Sequence, residues 1–457
     1  MLSAATLAAR ALVAQATPPP PPDRATIARQ VDSLILNYLA DGRGASAAVA
    51  IVRGHDTIVM SGTGLADIDG KRPATATTIY RIGSLTKQFT AAIILQLAEQ
   101  GKLSLDDSVG RFLPASPRLW RPIKIRRLLN HTSGIHNYTD VAAWRPTWSS
   151  DLTPEQLIAF VADDTLDFMP GTKWSYSNTG YILLGMIIER IVGRPYAEVV
   201  QDRIFRPLGL AHSSYCPSTP PSRSEFALGY TAGPNGPQRA PFLSMTHPHA
   251  AGALCMTVGD FVRWQQALAG GRVISAASYQ AMTTPEPLTS GNRPVYAFGL
   301  GVTLLENHGA ITHTGGVHGF VSLGSWFPDD SVQVVVFSNS AVPAFGRLTQ
   351  AVQRAALGLP LGLAVVPLPS LDRDRFVGTY DLQLPSRVLL FRVFVRDGAL
   401  FSQAEGQGEI ALRYLGNKVF GADFDPGVRI TFVDDNGAIT KLTLLQNGAT
   451  AEGPRRP

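Results

Sequence analysis

The sequence predicts an α+β fold followed by an all-β module, and three features carry that prediction. Strand-like runs stand at both ends of the long N-terminal part, with apolar helical segments between them. That order fits one mixed sheet flanked by helices rather than alternating βαβ units. An apolar stretch from Ala355 to Leu371 then carries Pro360, Pro367 and Pro369, and it reads as an extended linker. Beyond it, Arg373 to Leu445 changes to period-2 strands with the turn dipeptides Asp397-Gly398 and Asn436-Gly437. Both are hairpin signals, so a small antiparallel barrel is expected there.

Each element has its own reason. From Ala25 to Ala40, the residues Ile27, Val31, Leu34, Ile35 and Tyr38 recur at helical spacing. Ala45 to Arg53 and Thr57 to Ala66 read as two strands of a hairpin joined at Gly54-His55-Asp56. Ser84 to Gln100 is helical in pattern and stops at Gly101, and Asn178 to Val192 is helical and stops at Gly193. A third helix covers Val258 to Leu268. Gly301 to Glu306, Val317 to Trp326 and Val332 to Asn339 read as strands. No internal repeat is present.

Composition narrows the function classes. The chain has 457 residues, 45% hydrophobic and 16% charged, against roughly 25% charged in an average globular chain. A mainly disordered protein is excluded, and two to three domains are expected. The net charge is only +5. The one basic cluster, Arg118, Arg121, Lys124, Arg126 and Arg127, lacks interleaved aromatics and reads as a solvated face, so no nucleic-acid partner is expected. No uninterrupted apolar run reaches the length of about 18 residues that an integral membrane span requires. Met1 to Ala16 is rich in Ala and Leu, ends in the small-x-small triplet Ala14-Gln15-Ala16, and is interrupted by Arg10. Export is expected from it, with Thr17 to Asp23 as a stiff proline spacer. Cys216 and Cys255 are too few for a disulfide framework or a structural zinc site and read as two inert buried thiols, their separation in space being invisible in sequence. His308, His313 and His318 recur at intervals of five beside His247-Pro248-His249. That spacing does not converge on one ion, and no H-E-x-x-H occurs, so no metal and no cofactor are expected.

Three short elements carry chemistry. Ser84-Leu85-Thr86-Lys87 opens an apolar helix. Spacing of three puts the serine Oγ and lysine Nζ on one face, and the helix N-terminus adds positive potential that favours an alkoxide. Tyr176-Ser177-Asn178 stands just before the next apolar helix. A tyrosine there acts as a base only if cations lower its pKa, and the asparagine can hold a substrate carbonyl or the lysine. His313-Thr314-Gly315-Gly316 precedes a strand-like run, and its glycines let a substrate backbone approach while an N–H points at an oxyanion. Taken singly, each is commonplace: a first helical turn, a packed aromatic with an N-cap, and a turn. No G-x-S-x-G elbow is present.

In this order, the three elements resemble the penicillin-recognising serine hydrolases: class C β-lactamases, penicillin-binding DD-peptidases, D-aminopeptidases and the family VIII carboxylesterases. Tyr80-Arg81-Ile82-Gly83, Leu128 to Gly134, Pro207-Leu208-Gly209-Leu210 and Ala251-Gly252-Ala253-Leu254 are similar to that family as well. The resemblance covers Ala25 to Leu357 and implies an antiparallel sheet flanked by helices with an all-α insertion. It also implies that Ser84 is the nucleophile, Lys87 its activator and Tyr176 the general base that protonates the leaving group. The Ser84 and Gly316 N–H groups would form the oxyanion hole, with Asn178, His313 and Gly315 binding substrate. Which of Lys87 and Tyr176 takes the serine proton stays open. Many β-lactamases have lysine where His313 stands; a largely neutral histidine points instead to an esterase or a D-amino-acid peptidase or amidase. The alternatives are a β-lactamase or DD-carboxypeptidase, and a penicillin-binding sensor that acylates without turnover. The expected partners are a small ester, amide or D-amino-acid peptide and, for oligomerisation, further copies of the chain. The expected organisation is a leader at 1–23, a hydrolase domain at 24–357, a linker at 358–371 and a lipocalin-like barrel at 372–457. The linker should dock the barrel on the hydrolase part, with the loop Ala404 to Glu409 as the segment to reach the cleft.

Overall fold

The computed structural model describes residues 23–40, 44–162, 165–217, 225–363, 365–368, 370–384, 387–435, 437–446 and 449–456. The leader and proline spacer, up to residue 22, lie outside the described residues, as does Asn436.

Helix α1 (Arg24–Ala40) leads into β1 (Ser46–Arg53), β2 (Asp56–Asp67) and the short β3 (Arg72–Pro73). After the helical middle of the chain come β4 (Gly301–Leu305), β5 (His308–Val317), β6 (Phe320–Phe327) and β7 (Val332–Ser338). Together they form one seven-stranded sheet in the order β3-β2-β1-β7-β6-β5-β4. Every neighbouring pair is antiparallel, as the resemblance implies, and not mixed as the order of strand-like runs alone suggests. The reason is connectivity: both ends of the chain enter the sheet through hairpins, which join antiparallel strands.

Ser46 to Val52 in β1 and all of β7 are buried, because helices cover both faces of the sheet. Ala48, Ala50, Val335 and Phe337 point to one core, and Ala47, Val49, Ile51, Val334 and Val336 to the other. The second core is closed by α1, through Ile27, Val31 and Ile35, and by the helix Ala344–Leu357, through Phe345, Leu348 and Val352. The first core holds α2 (Thr86–Glu99), α3 (Asn178–Val192) and α4 (Val258–Ala269), and hence the helix starts that carry the motifs. Full burial of each large apolar side chain here stabilises by roughly 1.5–3 kcal/mol. Helix α3 ends at Gly193, whose φ of 74° is the left-handed conformation that stops a helix.

Three sequence readings change locally. Ser84 lies in a 3-10 turn, Gly83–Leu85, and the α-helix begins at Thr86. His313 to Gly316 does not precede a strand but is the second half of β5, and Gly319, at φ 77°, turns β5 into β6. Ala355 to Leu357 belongs to the last turn of α5 (Ala344–Leu357) rather than to an extended linker, because the first proline of that stretch comes only at Pro360.

The C-terminal strands run β8 (Gly378–Leu384), β9 (Arg387–Arg396), β10 (Ala399–Ala404), β11 (Ile410–Gly416), β12 (Val419–Ala422), β13 (Asp425–Asp435), β14 (Ala438–Gln446) and β15 (Ala449–Pro454). They pair consecutively as an eight-stranded antiparallel sheet. The Arg456 N–H donates to the Thr379 carbonyl at 2.8 Å, which brings the last strand to the first and nearly closes a barrel around Phe376, Phe420 and Phe432. Asp397 and Gly398, at φ 49° and 77°, form the hairpin turn the sequence signals.

The barrel is docked on α5, and its residues Leu384, Leu444 and Ala451 share a cavity of about 590 Å³ with Leu304, Thr312 and Thr314 of β4 and β5. Gln350 of α5 donates to Asp425, and Leu363 packs against Gly421. The hydrogen bonds of Glu405 and Gln407 and the ion pair of Glu409 stay inside the barrel, so the expectation that Ala404 to Glu409 reaches the cleft is corrected. Truncation after Leu357 is therefore expected to lower the melting temperature by several degrees, since it strips cover from α5. The acyl-chain selectivity should be unchanged. Calorimetry and a chain-length series of p-nitrophenyl esters check both; relaxed selectivity would contradict this placement.

Candidate active site

The Ser84 turn is held against β5 by two glycines. A side chain on Gly315 would place its Cβ 2.0 Å from the Ile82 carbonyl oxygen, and Gly83 (φ 52°) faces the Gly316 nitrogen at 2.8 Å in the same sense. Only glycine lets the serine turn and the strand come this close, which sets the Ser84 and Gly316 backbones side by side. Gly316 itself has open space at its Cβ direction and lines the cleft.

Lys87 is fully buried. Its Nζ donates to Ser84 Oγ at 3.1 Å, to Asn178 Oδ1 at 2.8 Å and to the Ala251 carbonyl at 2.8 Å. No carboxylate is among these partners, and desolvation holds the ammonium well below the usual lysine range. Asn178 is the first residue of α3, with Ser177 as the flanking cap, so its side chain serves Lys87 rather than capping the helix.

Tyr176 sits over this lysine, with Nζ 4.7 Å from its ring centroid. Its hydroxyl is buried without a well-formed hydrogen bond. Burial raises its pKa above the usual tyrosine value, only partly offset by the adjacent Ser84. The sequence reading asked cations to lower this pKa; desolvation reverses the direction.

His313 is placed differently from the substrate-facing role expected of it. Its ring is buried, accepts from the Tyr296 hydroxyl at 2.8 Å and donates from Nδ1 to the Thr314 carbonyl at 2.5 Å. It is absent from the cleft lining. Burial, with the nearby Lys87 charge, pushes it down to about 3. His131, which the motif reading passed over, lies with its ring 4.2 Å from Tyr176 and accepts from the Ser177 N–H at 3.2 Å. It stands in the family-like stretch Leu128 to Gly134, where the motifs assign it no role, and its φ is 58°. Burial lowers its pKa as well.

These two rings make acid stability a readout. Each binds its proton more readily unfolded, at the ordinary value of 6.5, than folded. Their contribution is therefore present above pH 6.5 and is lost as pH falls from there toward about 3. A slope of up to about 1.4 kcal/mol per pH unit for each ring is expected in that window. His313→Gln should flatten the fall in melting temperature between pH 6.5 and pH 4; an unchanged slope would contradict a neutral buried ring.

The cleft is a cavity of about 240 Å³ lined by Ser84, Asn178 and Gly316, with Tyr138, Trp144 and Leu243 as apolar walls. His318 is the imidazole in this lining, held below the ordinary value by burial. No group of His, Cys, Asp and Glu that could hold a metal occurs among the described residues. Nearby, Cys216 and Cys255 form a disulfide with Cα atoms 5.2 Å apart, which corrects the reading as two thiols. Pairing of Ser214–Tyr215 with Leu254–Met256 joins positions 39 residues apart in sequence. The basic cluster is also settled: Lys124 and Arg126 pair with Asp106, and Arg126 with Glu286. No helix among the described residues is long and apolar enough to cross a membrane.

Known proteins share this architecture. A penicillin-binding protein of Bacillus subtilis (strain 168) is 29% identical over 362 residues, 73% of this chain and 79% of its own. The D-stereospecific amidohydrolase from Streptomyces sp. superposes with a TM-score of 0.61 at 29% identity, covering 70% of this chain and 95% of that one. The octameric penicillin-binding protein homologue from Pyrococcus abyssi gives 0.66 at 25% identity, covering 93% and 99%. The family model described as Beta-lactamase matches residues 31–359. The chain thus belongs to the Beta-lactamase family and is a serine hydrolase.

Proposed function

We propose that this enzyme hydrolyses small esters, and more slowly amides, through an acyl-enzyme on Ser84, with Lys87 as the base. The observation that carries the proposal is the Lys87 amine, desolvated, bonded to Ser84 Oγ and lacking a carboxylate partner. Burial moves Lys87 toward the neutral amine and Tyr176 toward the phenol. As the neutral amine, Lys87 keeps its two N–H donors on Asn178 Oδ1 and the Ala251 carbonyl and turns its lone pair to the Ser84 hydroxyl, so it is the group able to take the serine proton. Ser84 Oγ attacks the carbonyl as its proton passes to Nζ. The oxyanion is met by the Ser84 and Gly316 N–H groups. Tyr176 then gives its proton to the leaving group and recovers one from Lys87. Water attacks the acyl-enzyme by the reverse relay. Asn178 keeps Lys87 aimed at Ser84, and Tyr296 keeps the His313 ring in place behind Tyr176.

The cleft favours the ester reading. Among the described residues, no carboxylate lines it to hold the α-ammonium of a D-amino acid, and His313 supplies no fixed cation for a β-lactam carboxylate. Side-by-side rates on p-nitrophenyl butyrate, D-alanine p-nitroanilide and nitrocefin test this. The ester is expected to lead by at least tenfold in kcat/KM. A faster anilide would favour the amidase reading, and a single-equivalent burst with no steady state the sensor reading.

The proposed organisation is a hydrolase domain at 24–357 and a barrel domain at 372–457. Export is proposed on the disulfide, which persists in oxidising compartments. Assembly into homo-oligomers is proposed on the octameric homologue.

A further inference from the structure

Past Val317 and His318, the cleft is followed by a second cavity of about 80 Å³. His318 lines both cavities. Two guanidinium groups line the second one. Arg81 lies three residues before Ser84, on the short strand Tyr80–Arg81 that pairs with Cys255 and Met256. It donates to the Leu243 carbonyl at 3.3 Å, and its Cζ lies 5.8 Å from the Phe320 ring centroid. Arg239 ends the strand Gly236–Arg239, with its Cζ 5.4 Å from the Tyr230 ring centroid.

Neither arginine pairs with a carboxylate among the described residues, in contrast to Arg126, Arg194 and Arg354, which all do. Burial and the Arg239 charge together hold Arg81 down at about 10, with no anion offsetting them. Two neighbouring cations, one of them largely buried, cost free energy that a bound anion would return. The neutral His318 ring, donating from Nδ1 to the Pro241 carbonyl at 3.2 Å, separates them from the reacting centre without adding charge.

We propose that this cavity is an anion subsite of the active site, in which Arg81 and Arg239 receive a carboxylate carried by the acyl part of the substrate. The side follows from the order along the chain. Tyr176, which serves the leaving group, stands by His313, with ring centroids 6.2 Å apart. Gly316 comes next, and His318 and the arginines lie beyond it, on the opposite side of the oxyanion position. The volume suits a carboxylate with roughly one adjoining methylene. The favoured substrates are therefore half-esters or half-amides of short dicarboxylic acids: uncharged at the scissile bond, anionic at the far end. The assignment rests on Ser84 being the nucleophile.

The test compares mono-p-nitrophenyl adipate with p-nitrophenyl methyl adipate, in which a methyl group removes the distal charge. The full-length enzyme is expected to favour the monoanion by about tenfold or more in kcat/KM. That ratio should drop about tenfold in Arg81→Gln and about threefold in the more exposed Arg239→Gln, and fall below one in Arg239→Glu. The Arg239 variants keep the test valid if Arg81→Gln fails to fold. In parallel, calorimetry with monomethyl adipate on the Ser84→Ala protein should detect binding that Arg239→Glu removes. A wild-type ratio near one, or a ratio unmoved by both Arg239 variants, overturns the subsite. If neither ester turns over while calorimetry still finds Arg239-dependent binding, the subsite stands and the nucleophile assignment fails.

Discussion

Ser84→Ala should lose hydrolysis by three to six orders of magnitude, about 4–8 kcal/mol of transition-state stabilisation, with the fold intact. The fold survives because the lost hydroxyl is only one of three acceptors around Lys87. Asn178 Oδ1 and the Ala251 carbonyl still hold the amine. The melting temperature should thus stay within about two degrees of wild type, by surface-like loss of one modest hydrogen bond. Steady-state rates and a thermal scan read both halves. Turnover retained within tenfold would remove Ser84 from the role, and a large drop in melting temperature would make the loss a folding effect.

Tyr176→Phe should separate activity from stability in the same manner. Its hydroxyl is buried with no well-formed partner, so deleting it removes an unsatisfied polar group and costs little, or stabilises. The ring contacts with His131 and Lys87 remain. The rate, in contrast, should fall by about 10²–10⁴ through loss of proton transfer to the leaving group. Substrates with good leaving groups, such as p-nitrophenolate, should suffer least, because they need least protonation. An unchanged rate on an alkyl ester would make Tyr176 a core aromatic.

Local pattern made part of this molecule legible. Ser84 and Lys87 meet because three residues of helical chain put them on one face, and α3 stops at Gly193 because only a residue tolerant of positive φ fits there. The antiparallel barrel followed from alternation and Asp397-Gly398. What escaped was long-range. Strand β5 holds three Gly and an Ala, poor strand formers, and exists because β6 pairs along it from Ile311 to Val317. His313 has the sequence signature of a substrate ligand but turns inward to Tyr296, a partner no spacing rule could supply. His131 reaches Tyr176 from 45 positions upstream, and the Cys216–Cys255 bond depends on two short strands pairing. Desolvation, the force that depresses Lys87 and raises Tyr176, is a property of the folded core and has no sequence pattern at all.

Turnover through a covalent acyl group on Ser84 is read out by acid-quenched mass spectrometry. The enzyme is mixed with p-nitrophenyl butyrate, quenched within the first turnovers and mapped by proteolysis. The expected result is a butyryl adduct on the peptide that contains Ser84, absent from Ser84→Ala and accumulating in Tyr176→Phe if deacylation becomes the slower step. Steady turnover with the adduct on another residue would remove Ser84 as the nucleophile.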